Sequence, residues 1–143
     1  MFYGEYDYKV DPKGRVAIPP EFRDAFRAGI IVRRGEEKCI TIYPASVWEQ
    51  MAQELVSKTP ARGIIRKRNR YIFGFAFKLN ADPQGRIVIP PSLREYANIH
   101  NIAVIVGANN CLELWNKEEW LQEREILTKE GPDYLEHTEE YNR

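Results

Sequence analysis

The chain writes one unit twice. Residues 11–23 read Asp-Pro-Lys-Gly-Arg-Val-Ala-Ile-Pro-Pro-Glu-Phe-Arg and residues 82–94 read Asp-Pro-Gln-Gly-Arg-Ile-Val-Ile-Pro-Pro-Ser-Leu-Arg, eight identities in 13 positions at an offset of 71. Downstream, the stretch Cys39 to Trp48 aligns with Cys111 to Trp120 at an offset of 72. Two copies at so long a period cannot form a solenoid array, so the halves either complete one shared core or stand as twin modules. A chain of 143 residues suffices for that core, since at about 150 residues a chain buries roughly 68–70% of its unfolded surface without metal or disulfide staples.

Each copy has the same periodicity and punctuation. Glu5 to Val10 alternates polar and apolar as a half-buried strand does, and Phe75 to Leu79 repeats this in the second copy. Asp-Pro-x-Gly carries the residue preferences of a type I turn, in which Asp bonds its own backbone and Pro presets φ. A short strand follows from Arg15 or Arg86, and the Pro-Pro pair after each blocks its continuation. Pro is tolerated in the first turn of a helix, which predicts short helices over residues 20–27 and 91–97. Two more strands follow in each copy, 30–33 with 39–43 and 102–106 with 111–115. Amphipathic helices close the copies at 45–57 and 116–129, a basic helix over 60–73 joins them, and the Gly131-Pro132 pair predicts a mobile tail.

Composition narrows the function classes. The 43% hydrophobic and 29% charged content is that of a globular chain. The longest uncharged apolar run, Ile102 to Ala108, falls far short of the roughly 20 residues that span a bilayer. The first ten residues lack a secretory pattern, which predicts a cytoplasmic protein in which Cys39 and Cys111 are buried, reduced thiols. The 21 basic and 21 acidic residues cancel, but unevenly: residues 117–143 carry four basic and nine acidic groups, a net of −5, which leaves +5 on residues 1–116. Lys58, Arg62, Arg66, Lys67, Arg68 and Arg70 lie in a stretch with no carboxylate, a pattern that by itself most often marks a solvated surface.

No Gly-x-Ser-x-Gly elbow, Cys-His-Asn set or phosphate-cradling glycine loop is present, so the sequence supports no enzyme and no cofactor. His100 and His137 lack ligand spacing, which excludes a readable metal site. Trp48 and Trp120 hold matching positions and read as core anchors. A hydrolase using Asp11 and Asp82 as a carboxylate pair would need both turns to converge on one pocket.

The repeated turn offers a different chemistry. Asp11 and Arg15 stand four apart across it, as do Asp82 and Arg86, so each carboxylate can hold its guanidinium in one direction. A planar guanidinium held so fits two acceptors at once, as phosphate oxygens or the O6 and N7 of guanine present them. Gly14 and Gly85 would let the backbone approach a duplex closely, and Lys13, Arg23 and Arg94 add positive charge. A single such turn reads as an ordinary hairpin; two that share the Arg favour a binding role.

The start Met-Phe-Tyr-Gly-Glu-Tyr, the paired Asp-x-x-Gly-Arg turns, the Ile-Pro-Pro-x-x-Arg continuations and the Trp-bearing helices resemble the MraZ family of bacterial transcriptional regulators over residues 1–125. The resemblance implies an α+β fold of two tandem swapped-hairpin modules, similar to AbrB and SpoVT, interleaved into one small β-barrel. The modules would span 5–47 and 75–118, with a basic helical connector at 48–74 and a C-terminal helix with acidic tail at 119–143. It further implies a homo-oligomeric ring, associated with the nucleoid, that binds double-stranded DNA at promoter direct repeats upstream of the division and cell-wall genes. The DNA-contacting role falls on Arg15 and Arg86, with Lys13, Gly14 and Gly85 beside them and Asp11 and Asp82 as orienters. The alternative is an antitoxin-like or scaffold module without specific DNA readout.

Overall fold

The computed structural model describes residues 1–57 and 62–142, with side chains for 1–55 and 62–137. Lys58 and the expected start of the basic helix at Pro60 lie outside the described residues. Among the described residues, eight strands and four α-helices follow in order: β1 (Glu5–Lys9), β2 (Arg15–Ala17), a 3-10 helix (Pro20–Phe26), β3 (Ile30–Arg34), β4 (Ile40–Pro44), α1 (Ala45–Ser57), α2 (Arg62–Phe73), β5 (Phe77–Leu79), β6 (Arg86–Val88), α3 (Pro91–Tyr96), β7 (Ile102–Gly107), β8 (Leu112–Asn116) and α4 (Lys117–Asn142). The result is a mixed α and β architecture.

Six strands form one antiparallel sheet in the order β1-β7-β8-β4-β3-β5, and β2 and β6 form a separate two-stranded ribbon. The copies exchange strands. β1 of the first copy pairs with β7 of the second, Tyr6 facing Ile105, while β5 of the second pairs with β3 of the first, Ile31 facing Lys78. The two hairpins meet at the centre through β4 and β8, with Ile40 opposite Leu114. Neither copy completes its sheet alone, so the two halves share one core.

Strand alternation sorts side chains into two layers. Ile30, Val32, Ile40, Ile42, Ala103, Ile105, Leu112 and Leu114 point inward, where they meet Val16, Ile18, Ile87, Ile89 and Leu93 from beneath the ribbon and its helices. Burying each such aliphatic chain contributes about 1.5–3 kcal/mol. On the other face Cys39, Val104, Trp115 and Trp120 form a second buried cluster under α4. Trp48 is only half-buried, 5.5 Å from the Tyr43 ring and 5.6 Å from Phe73.

Three local expectations change. Residues 20–26 wind as a 3-10 helix, because Phe22 N–H bonds Pro19 O and Arg27 N–H bonds Asp24 O at the tighter spacing. Strand β5 begins at Phe77 and not Phe75, because Gly74 and Ala76 donate back to Arg70 O and Phe73 O and prolong the end of α2. Helix α4 runs through Gly131 and Pro132 where a mobile tail was expected. One four-residue pair spans the break, Tyr134 Oη donating to Glu130 at 2.6 Å. Pro132 removes one backbone donor from an exposed helix, a cost that tertiary packing does not amplify. No helix among the described residues is long and apolar enough to cross a membrane.

Candidate nucleic-acid interface

The two Asp-x-x-Gly-Arg turns fold alike. In each, Gly N–H donates to the Asp carbonyl at 2.9 Å, and Gly14 and Gly85 sit at φ +83° and +78°, the left-handed region that glycine enters without strain. The Asp side chain closes the turn from within. Asp11 Oδ1 accepts from Lys13 N–H at 3.0 Å and Arg15 N–H at 2.9 Å, and its Oδ2 holds Arg15 Nε. Asp82 repeats this with Gln84 N–H, Arg86 N–H and Arg86 Nε, each at 2.9 Å. The Arg backbone N–H, more than any other group, holds each carboxyl below the usual carboxylate range. Both aspartates are therefore charged at neutral pH, and both guanidinium groups are held by Nε with their outer nitrogens free to bond elsewhere.

The ribbon brings the two arginines together. Arg15 pairs with Val88 and Arg86 with Ala17 in the antiparallel register, and Val16 faces Ile87 between them. Residues facing each other share a side of the ribbon, and alternate residues share it too. Arg15, Ala17, Arg86 and Val88 thus form the outer face, while Val16 and Ile87, each 1% exposed, anchor the inner one. The arginine side chains are about one-third exposed, 34% and 33%. They stand diagonally across the ribbon, one from each copy, at the edge of an open cavity of about 470 Å³ that Lys9, Asp11 and Ile102 also line.

Arg23 and Arg94 do something else, which the repeat flagged without revealing. Arg23 Nε donates to Ile18 O at 3.0 Å and Arg94 Nε to Ile89 O at 3.1 Å, and each side chain lies across the turn glycine of the other copy, Arg23 on Gly85 and Arg94 on Gly14. Both glycines are buried. An arginine fills the space beside each. Their absent side chains serve the turn and this packing. Two further bonds, Ile18 N–H to Gly85 O and Ile89 N–H to Gly14 O, each 2.9 Å, tie the turns across the copies.

The other candidates sort plainly. Asp11 and Asp82 line separate cavities and each is engaged by its own turn, so they do not converge as a pair. His100 is exposed beside Asn98 Oδ1 at 2.7 Å. Cys39 and Cys111 are buried free thiols. Sequence reasoning passed over one cluster: donor atoms of Glu37, Cys39 and Glu113 lie within 4.8 Å of one another. Burial raises both the Cys39 thiol and the Glu113 carboxyl. Glu113 Oε1 already accepts from Trp115 Nε1 at 3.1 Å.

Comparison with known proteins bears on this site. The profile of a family described as "MraZ protein, putative antitoxin-like" matches residues 1–66 and 72–131, both copies. A transcriptional regulator MraZ from Dehalococcoides mccartyi is 39% identical over 142 residues, 99% of this chain and 100% of the relative. Regulators of the same name from Thermomicrobium roseum and a Roseiflexus species are 39% identical over 132 residues and 42% identical over 120, covering 92% and 84% of this chain and 93% and 84% of theirs.

Proposed function

This chain belongs to the MraZ family, and from that premise we propose that it is a sequence-specific DNA-binding transcriptional regulator that reads DNA with the outer face of the β2–β6 ribbon. Arg15 and Arg86 contact the DNA, Lys13 adds a phosphate contact, Asp11 and Asp82 hold the arginines, and Gly14 and Gly85 shape the turns beneath. The observation that carries the reading is the pair of Asp-held arginines, one from each copy, on one exposed face. Because Nε is tied to the carboxylate, little side-chain freedom is left to lose when the outer guanidinium nitrogens bind, and two such forks suit paired acceptors on guanine or phosphate.

The finer parts of the proposal follow from symmetry. The strand exchange supports a swapped-hairpin barrel of two modules, 5–47 and 75–118, in which one chain holds a complete reading head without a palindromic partner. The protein acts in the cytoplasm, at the nucleoid, as a homo-oligomeric ring. Heads repeated head to tail around a ring point the same way, and same-facing heads call for direct repeats about one helical turn apart, roughly 10–10.5 bp. The targets are promoter repeats upstream of the division and cell-wall genes, its own gene among them.

A gel-shift series tests this. The upstream region should shift at lower protein concentration than unrelated duplex, and inserting half a turn between repeats should weaken binding far more than inserting a full turn. Equal affinity for specific and unrelated DNA would favour the second reading, an antitoxin-like or scaffold module, which the family description itself supports.

A further inference from the structure

Among the described residues, Arg33 is the charged side chain that the fold buries. It stands on β3 opposite Thr41 of β4 and is 9% exposed. Among the described residues no carboxylate lies within ion-pair distance of it, and its Nε has no hydrogen-bond partner. An arginine keeps its charge at every pH the fold survives, and a buried cation left without a partner is strongly unfavourable. The Tyr71 ring, 5.7 Å from the guanidinium carbon, offsets part of that cost. It accepts nothing from Nε.

The second copy shows what an ordinary residue does at this place. Thr41 and Glu113 match at the offset of 72, so Arg33 opposite Thr41 corresponds to Val106 opposite Glu113. Val106 packs against the apolar cluster of Cys39, Val104, Trp115 and Trp120. In the first copy Tyr43 and Trp48 match those two tryptophans, and both ring pairs stand 5.5 Å apart. The frame is the same; its floor is valine in one copy and arginine in the other. The first copy also keeps a cavity of about 180 Å³ with Arg33 in its lining, walled by Trp48, Met51 and Leu55 of α1 and by Tyr71, Ile72 and Phe73 of α2. Glu36, exposed and not ion-paired with Arg33, lines it as well.

We propose that this cavity binds a small organic monocarboxylate with an apolar body, its carboxylate on the Arg33 guanidinium and its body between α1 and α2. A planar guanidinium matches a carboxylate through two parallel hydrogen bonds. One cation among apolar walls neutralises one negative charge, whereas a phosphate dianion would leave a second charge buried without a partner. An apolar cavity of about 150 Å³ accepts benzene, so the 180 Å³ here suits an acid of the size of benzoate or a short branched chain. Arg33 alternates with Val32, which points into the core, so the site lies on the face of the sheet turned away from the β2–β6 ribbon. It stands whether or not the ribbon reads DNA. Because α2 leads into β5, which pairs with β3, an occupant ties the link between the copies to the sheet.

The test titrates the full chain with benzoate, isovalerate, acetate, benzamide and inorganic phosphate, read by calorimetry and by the tryptophan indole N–H signals in heteronuclear NMR spectra. At least one of benzoate and isovalerate should bind at a single site and move the Trp48 signal, while those of Trp115 and Trp120, in the cluster under α4, stay in place. Benzamide keeps the ring without the charge and acetate keeps the charge without the body, so each should bind about tenfold more weakly or worse. Arg33→Met, an apolar chain where the second copy has valine, should fold, because apolar replacement of buried charge is tolerated, and should lose the response. Met51→Trp narrows the cavity and leaves Arg33 in place; it should lose the response too, and it decides the matter if Arg33→Met does not fold. Failure of both apolar acids to bind wild type, unchanged affinity in either variant, or phosphate binding as tightly as benzoate would each overturn the assignment.

Discussion

Arg23 of the first copy lies across Gly85 of the second, so closely that a Cβ on Gly85 would stand 2.3 Å from its Nε. Gly85 also holds φ +78°, where a side chain costs roughly 1–2 kcal/mol. Gly85→Ala should therefore destabilise the fold by about 1–3 kcal/mol, combining that strain with displacement of Arg23 from Ile18 O. Gly63, on the exposed face of α2 with nothing within 4 Å of a Cβ, is the control, and alanine there should be neutral or stabilising by up to about 1 kcal/mol. Denaturant unfolding of the two variants measures the contrast; equal effects would mean the packing of Arg23 on Gly85 does not matter.

The turn carboxylates give stability a defined pH dependence. Asp11 and Asp82 are held below their ordinary value of 3.8, chiefly by the backbone N–H groups of Arg15 and Arg86. A carboxyl whose folded pKa is depressed binds protons more readily when unfolded, so its contribution is complete above the ordinary value and is lost as pH falls through the lower, folded one. The double variant Asp11→Asn/Asp82→Asn should melt below wild type at pH 7 and converge on it as pH falls below 3.8 through the lowered, folded value. Calorimetric melts across that range decide it, and parallel curves would show that the charges are not what the turns use.

Both thiols should be silent in the native state. Burial, with Glu113 next, pushes Cys111 up to about 11 and Cys39 higher still. Since the thiolate is the reacting form, native protein at pH 8 should react with a disulfide reagent at least ~100-fold more slowly than a free cysteine, and both thiols should react once denaturant is added. A fast native phase would place one of them outside the core.

The sequence exposes faces better than partners. Alternation in Glu5 to Val10 marked a half-buried strand, and the turn chemistry of Asp-Pro-x-Gly placed Arg15 and Arg86, because these are local effects. That β1 joins β7 and β5 joins β3 is not a local property; it entered only through the family resemblance. The repeat showed Arg23 and Arg94 to be equivalent, yet the glycine each covers lies in the other copy, which no spacing reveals. At Gly131-Pro132 the breaker signal failed because a side-chain pair, Tyr134 with Glu130, spans the break. The Glu37, Cys39 and Glu113 cluster was invisible because β4 and β8 meet only in the folded sheet.

The central claim is that Arg15 and Arg86 act as one reading head. It is tested most directly by fluorescence anisotropy titration of the upstream promoter DNA with wild type, Arg15→Ala, Arg86→Ala and the double variant, at several salt concentrations, with circular dichroism as the folding control. Each single variant should lose about 1–3 kcal/mol of specific binding and lower the salt slope by about one unit per phosphate contact removed, and the double variant should bind the promoter no better than unrelated duplex. A double variant that folds normally and keeps wild-type affinity for the promoter would contradict the account.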